Sequence, residues 1–414
     1  MTVAQKSTRT SDVRVIGLVS LAHGSSHFFH LILPPLFPWL KNEFAFNYAE
    51  LGLLMSIFYV VSCSVQAASG FLVDRIGSRP VLFGGVGLSI VAALIYSQAS
   101  GYEMLVLGAV VAGLGNGIFH PVDYTLINHK VTPSNLAYAY SLHGVTGYLG
   151  WAAAPIFMVS VATWADWRLA LLAAAGMELV VLIVLWVNKD SLLDDVKARH
   201  AEGLATAKDQ NPNGVPDGVF AFLKLPAVWL CWLFFFFSMI ATSSLQSFSP
   251  TSLLSIYAVP VRSGSYYLTL MSLGSAAGML LGGLVAKHVQ APERVVTICL
   301  LASTLLTGLL ATSWVPVDVI AMVFLAIGLG FGISAPSRDL MIRAATPQGV
   351  SGRVYGIVYS GIDLGAAVGP GLFGVLLDSG HPKMLFIGAA VAMVLMIFTA
   401  LRVALSTPSK IQPA

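Results

Sequence analysis

Charge is what this sequence has least of. Asp, Glu, Lys and Arg make up 10% of its 414 residues and apolar types 57%, where an ordinary soluble domain carries roughly 25% charge. That shortage excludes a soluble globular fold. Cysteine is almost missing too: Cys63, Cys231 and Cys299 are the only three, all inside apolar runs, so no disulfide framework is implied. Long polar segments are absent except for 188–224. There is no nucleophile–base pair and no HExxH-type helix, so the reading contains no enzyme, no cofactor and no resident metal. The net charge of +3 gives no reason to expect nucleic acid.

What remains is apolar sequence in lengths of about 18 residues or more, each enough to cross the hydrocarbon core of a bilayer. We place twelve spans, near 15–40, 48–72, 80–99, 104–129, 137–160, 167–187, 225–248, 266–286, 295–313, 317–343, 354–377 and 383–405. The expected fold is an all-α membrane protein: a six-helix bundle over 1–187, a cytoplasmic linker over 188–224 and a second bundle over 225–414. The linker holds 11 of the 41 charged residues with both signs mixed, which reads as solvated chain with a short surface helix near 191–202. Of the 22 Lys and Arg, Lys41, Arg168, Arg262 and Lys383 fall outside and Arg338 lies within a span, leaving seventeen inside. By the positive-inside rule both termini are cytoplasmic. The basic start runs into a full span without a small-residue cleavage site, so it reads as a retained first helix.

The chain repeats itself. Residues 113–121 read GLGNGIFHP and residues 328–336 read GLGFGISAP, an offset of 215. At that offset Asp123 meets Arg338, an anion against a cation. Pro155 likewise meets Pro370, and Pro34 meets Pro250 at an offset of 216. Two related halves with opposite buried charges suggest a polar path between them.

Ionisable residues inside the spans are the functional candidates by default. His23, His27 and His30 fall on one stripe of the first helix at about 100° per residue. They either look into a wet cavity or each satisfy a polar neighbour. In helix 4, Asn116, His120 and Asp123 share a face at i, i+4, i+7, and helix 5 adds His143. In the second half, Thr242 and Gln246 start a polar stripe on helix 7, while Arg338 and Asp339 lie on helix 10 and Asp363 on helix 11. Arg338 is either an anion anchor or neutralised by Asp363 or Asp339. The histidines and Asp123 can carry a proton, and the histidines also make a borderline-soft ligand set for a divalent metal or a metal chelate. Glu178 stands alone in helix 6.

Between spans 2 and 3, Gly70, Asp74, Arg75, Gly77 and Arg79 match the Gly-x-x-x-Asp-Arg/Lys-x-Gly-x-Arg/Lys loop of the major facilitator superfamily, and the chain resembles that family over its whole length. Gly113, Gly115, Ile118, Phe119, His120 and Pro121 are further similar to a run in helix 4 of fosmidomycin-resistance-type exporters, although Val122 here separates the proline from Asp123. The resemblance implies two pseudo-symmetric six-helix bundles related by an axis along the membrane normal, with the site near the midplane. It implies proton-driven export of a small polar or anionic compound by a monomer, with the 70–80 loop as a gating latch. In that family Asp123 would serve either the latch, as partner of Arg75 or Arg79, or transport itself.

Overall fold

The computed structural model describes residues 3–132, 135–193, 225–286, 289, 291–345 and 351–406. Its regular structure there is all helical, one of the two ways, with the closed barrel, in which a chain satisfies its backbone without water. Among the described residues, twelve stretches are long and apolar enough to span a membrane, from Ser11–Phe44 to Lys383–Leu405. The chain divides into two compact units, Met1–Phe46 with Ile57–Ala201, and Asn47–Ser56 with Glu202–Ala414.

In the first unit the helices are α1 (Val3–His30), α2 (Phe37–Phe44), α3 (Tyr48–Ile76), α4 (Ser78–Ser97), α5 (Tyr102–Asn116), α6 (Phe119–Lys130), α7 (Leu136–Trp164) and α8 (Trp167–Val187). Two predicted spans are broken rods. The first stops at His30, passes through a 3-10 turn at Pro34–Leu36 and resumes as α2. The fourth stops at Asn116 and restarts at Phe119. The second break has a local cause. Pro121 has no N–H to give to the carbonyl of Gly117 four residues back, and Ser69 Oγ donates to that carbonyl instead, at 3.1 Å. The break falls between Asn116 and His120 of the expected face.

An apolar core behind α1 is made by Val15, Val19 and Ala22 with Val81, Val86, Phe119, Val122 and Leu185. That packing fixes which way α1 turns and leaves its histidine stripe to face α5, α6 and α7. Gly77, the central glycine of the latch loop, has φ 92° and donates its N–H to Val73 O at 2.9 Å. A left-handed residue there closes α3 and lets α4 start at once. Arg75 is exposed and Arg79 half-buried; the surroundings of Gly70 and the side chain of Asp74 lie outside the described residues.

The second unit holds α9 (Pro226–Tyr257), α10 (Val261–Ala286), α11 (Pro292–Ala311), α12 (Val317–Ala345), α13 (Ser351–Asp378) and α14 (Lys383–Ser406). Val228, Phe234 and Phe235 of α9 join Leu300, Met341, Met396 and Ala400 in its core. The start of α3 belongs to this unit and not to the first, through Asn47–Ser56. Asn47 Oδ1 accepts from Glu50 N at 2.7 Å while Glu50 Oε2 accepts from Asn47 N at 2.8 Å, a reciprocal capping box. Asp378 accepts from the next free donors, Tyr48 N at 2.8 Å and Ala49 N at 2.7 Å. Of the expected linker only 188–193 is described, with a 3-10 turn at Lys189–Leu192; the surface helix expected near 191–202 lies outside the described residues beyond that point, as do Lys287 and His288.

Candidate functional site

The sequence candidates of the first half converge on one cluster inside the first unit. α1 and α7 run side by side with Gly147 and Gly150 between them. A Cβ on Gly147 would sit 3.0 Å from His23 Nε2 and from His27 Cε1 and Nδ1, so only glycine lets the histidine stripe lie against α7 without displacement. His23 and His143 stack with ring centroids 3.5 Å apart. The centroid of His27 lies 4.3 Å from that of His23 and 4.8 Å from that of His30.

Asp123 sits at the centre, fully buried. Its Oδ2 accepts from His23 Nδ1 at 3.2 Å and from His143 Nε2 at 3.1 Å, and its Oδ1 has no hydrogen-bond partner. Asp123 thus takes its bonds from two imidazoles, not from Arg75 or Arg79, because it projects from α6 toward α1 and α7.

Around this pair the polar groups form defined chains. Asn116 Nδ2 donates to Ser62 Oγ at 2.9 Å, and His120 Nδ1 lies 3.0 Å from Gln66 Oε1. Both pairs are separated by 54 residues, so α3 and the α5–α6 rod run parallel in one register. His30 Nε2 faces Asn116 Oδ1 at 2.8 Å, and Trp151 Nε1 donates to His30 Nδ1 at 3.3 Å. With Nδ1 accepting, Nε2 must be the donor, so both nitrogens of His30 are committed as a neutral ring. His27 is the opposite case: neither of its nitrogens has a partner, and both are enclosed.

Ser62, Gln66 and Trp151 were not singled out in the sequence. Ser62 and Gln66 form an i, i+4 polar pair in the second span, the same spacing as Asn116 and His120, and that match was the available signal. Glu178, for which the sequence offered no account, is fully buried on α8 with Oε1 accepting from Ser25 Oγ at 3.3 Å.

The candidates of the second half are placed in the second unit. Gln246 is 2% exposed on α9, and its Oε1 has no hydrogen-bond partner; Thr242 is half-buried one turn earlier. Arg338 donates from Nε to Asp339 Oδ1 at 2.9 Å and lies 5.2 Å from the centre of the Phe235 ring. Of the two acids weighed as its neutralising partner, Asp339 makes this bond. Asp363 is buried on α13.

Among the described residues, two groups bring three possible ligand atoms within 4.8 Å of one another: His23, His27 and His120, and His23, Asp123 and His143.

Known proteins give the frame for this cluster. The fosmidomycin resistance protein of Escherichia coli (strain K12) is 21% identical over 279 residues, covering 66% of this chain and 65% of that protein, just under two thirds of its length. The 3-(3-hydroxy-phenyl)propionate transporter of the same organism is 26% identical over 383 residues, covering 90% of this chain and 89% of that one. Among solved structures, that of a nucleoside transporter superposes with a TM-score of 0.71 at 14% identity, covering 94% of this chain and 99% of that one. A sequence model of the Major Facilitator Superfamily matches residues 19–355 and 269–414. This multi-pass membrane protein belongs to the Major Facilitator Superfamily of transporters.

Proposed function

We propose that the chain is a secondary active transporter that exports a small polar or anionic compound by alternating access, in exchange for protons. It works as a monomer in the cytoplasmic membrane with both termini inside. The observation that carries this reading is Asp123: a carboxylate with no exposure, one oxygen bound by two imidazoles and the other without a partner. A buried carboxylate is costly in a membrane interior, which makes it a functional candidate by default. The open Oδ1 is where a proton, or a donor group of the cargo, completes the set. His143 and His23 hold the carboxylate in place from the side.

In the second unit we assign Arg338 the role of anion anchor, since a planar guanidinium suits carboxylate and phosphonate groups. Thr242, Gln246 and Asp363 supply further polar contacts. The relative named for a propionate supports an anionic cargo, because the name describes a carboxylate. The 70–80 loop biases the conformational equilibrium as a latch.

The test uses inverted membrane vesicles acidified by respiration and followed with a pH-sensitive dye. Adding candidate carboxylates and phosphonates one at a time is expected to dissipate the gradient for a transported compound, with no response in Asp123→Asn vesicles. Dissipation that persists unchanged in Asp123→Asn would refute the role of Asp123. A response only in right-side-out vesicles would reverse the direction to uptake.

A further inference from the structure

His27 is the one imidazole of the cluster with nothing bound to it. Both of its nitrogens are enclosed and without a partner, a costly condition for a polar group in an interior. Its neighbours are oriented so that their lone pairs are also available. His23 gives its Nδ1 hydrogen to the carboxylate of Asp123 at 3.2 Å, which leaves Nε2 as the free lone pair. His120 stands with Nδ1 at 3.0 Å from the carbonyl oxygen Gln66 Oε1; a carbonyl only accepts, so Nδ1 carries the hydrogen and Nε2 the lone pair. Donor atoms of His23, His27 and His120 lie within 4.8 Å of one another.

An imidazole whose far nitrogen is bonded to a carboxylate or an amide oxygen is the usual outer shell of a metal ligand: the second bond fixes the tautomer and raises ligand basicity. Metal–nitrogen bonds of about 2.0–2.1 Å in tetrahedral geometry put the nitrogens about 3.3 Å apart. Ring rotations that bring the three together by at most about 1.5 Å reach that spacing. His30 cannot join, because Trp151 and Asn116 occupy both of its nitrogens.

We propose that His23, His27 and His120 form a binding site for a divalent transition metal of the zinc class, with Asp123 and Gln66 holding two of the imidazoles from behind. Three imidazoles suit zinc, nickel, cobalt or copper, whereas magnesium and calcium require oxygen ligands. The fourth position of a tetrahedral ion is left for water or for a donor atom of the cargo. The site concerns the same cluster as the proposed transport pathway but needs neither proton coupling nor a direction of transport.

The test is direct binding to the full-length chain, purified, stripped with a chelator and placed in lipid nanodiscs. Zinc chloride is expected to raise the unfolding temperature and to leave one zinc per chain after desalting, while magnesium chloride does neither. Gln66→Leu is expected to weaken zinc binding about 10- to 100-fold, the usual effect of losing an outer-shell partner. His27→Ala is expected to weaken it more, and His27→Gln serves if the alanine variant aggregates. His129→Ala, an exposed histidine on α6, is expected to bind as the wild type does. Cobalt chloride adds a readout of geometry, since tetrahedral cobalt shows an intense visible band that should vanish in His27→Ala. Zinc retained at full affinity in both His27→Ala and Gln66→Leu, or no zinc retained by the wild type, overturns the site. Loss of the bound zinc in His129→Ala overturns it as well, by placing the ion on the surface. Absence of proton flux with zinc bound would sink the transport reading and leave the metal site standing.

Discussion

Replacing Asp123 separates what its charge does from what its shape does. In Asp123→Ala the N–H groups of His23 and His143 lose their shared acceptor in a site with no exposure. Each orphaned buried donor costs about 1–3 kcal/mol, so the alanine variant should lose about 2–6 kcal/mol. Asp123→Asn can keep its carbonyl oxygen where Oδ2 stood, with the amide nitrogen on the side where Oδ1 has no partner. Both bonds survive without their charge. Charged acceptors make bonds roughly twice as strong as neutral ones, and a neutral bond contributes about 1 kcal/mol, so the two weakened bonds cost about 2 kcal/mol and the unpartnered amide N–H adds about 1–3 kcal/mol. The assay is unfolding in mixed detergent micelles, with His143→Ala and the double variant completing a cycle. His143→Ala and Asp123→Ala remove the same bond, so the double variant should be less destabilised than the sum of the singles, by about 0.5–3 kcal/mol. Additive losses would refute the picture of one oxygen shared by two imidazoles.

Two further substitutions test the surroundings of the cluster. Gly147→Ala drives a methyl to 3.0 Å from His23 Nε2 and His27 Nδ1, an overpacking that should cost about 1–3 kcal/mol and weaken zinc binding in the same assay as above. Gly176→Ala on α8, where an added Cβ meets nothing within 4 Å, should be neutral or gain up to about 1 kcal/mol; equal losses at both positions would show that crowding at the histidines is not the cause. Asp378→Ala removes the acceptor of Tyr48 N and Ala49 N. Because the Asn47–Glu50 capping box remains, the loss should fall at the low end of the capping range, about 0.5–1 kcal/mol. Hydrogen exchange should quicken at the first turn of α3 and not at its far end, and a uniform change along the helix would contradict the local cap.

The architecture was legible because it follows from amounts: long apolar runs, few charges and a duplicated glycine-proline motif force a helical membrane fold in two related halves. The cluster was legible in part. The stripe of His23, His27 and His30 follows from helical spacing alone, and so does the inward turn of α1 once Val15, Val19 and Ala22 occupy its other face. What spacing could not supply is how each residue is partnered, because partners come from other helices. Asn116, His120 and Asp123 were read as one face of one rod, yet Pro121 breaks that rod at Gly117 and Ile118. Their partners overlap without coinciding: Asn116 reaches α1 and α3, His120 reaches α3, and Asp123 reaches α1 and α7. The three stripe histidines are equivalent in sequence and differ entirely in chemistry. His30 is closed by Trp151 and Asn116, His23 is half-committed to Asp123, and His27 is open at both nitrogens. A graded series of this kind lets one helix face combine a fixed structural ring, an oriented ring and a free one, and the free ring is where an ion or a cargo atom has something to gain.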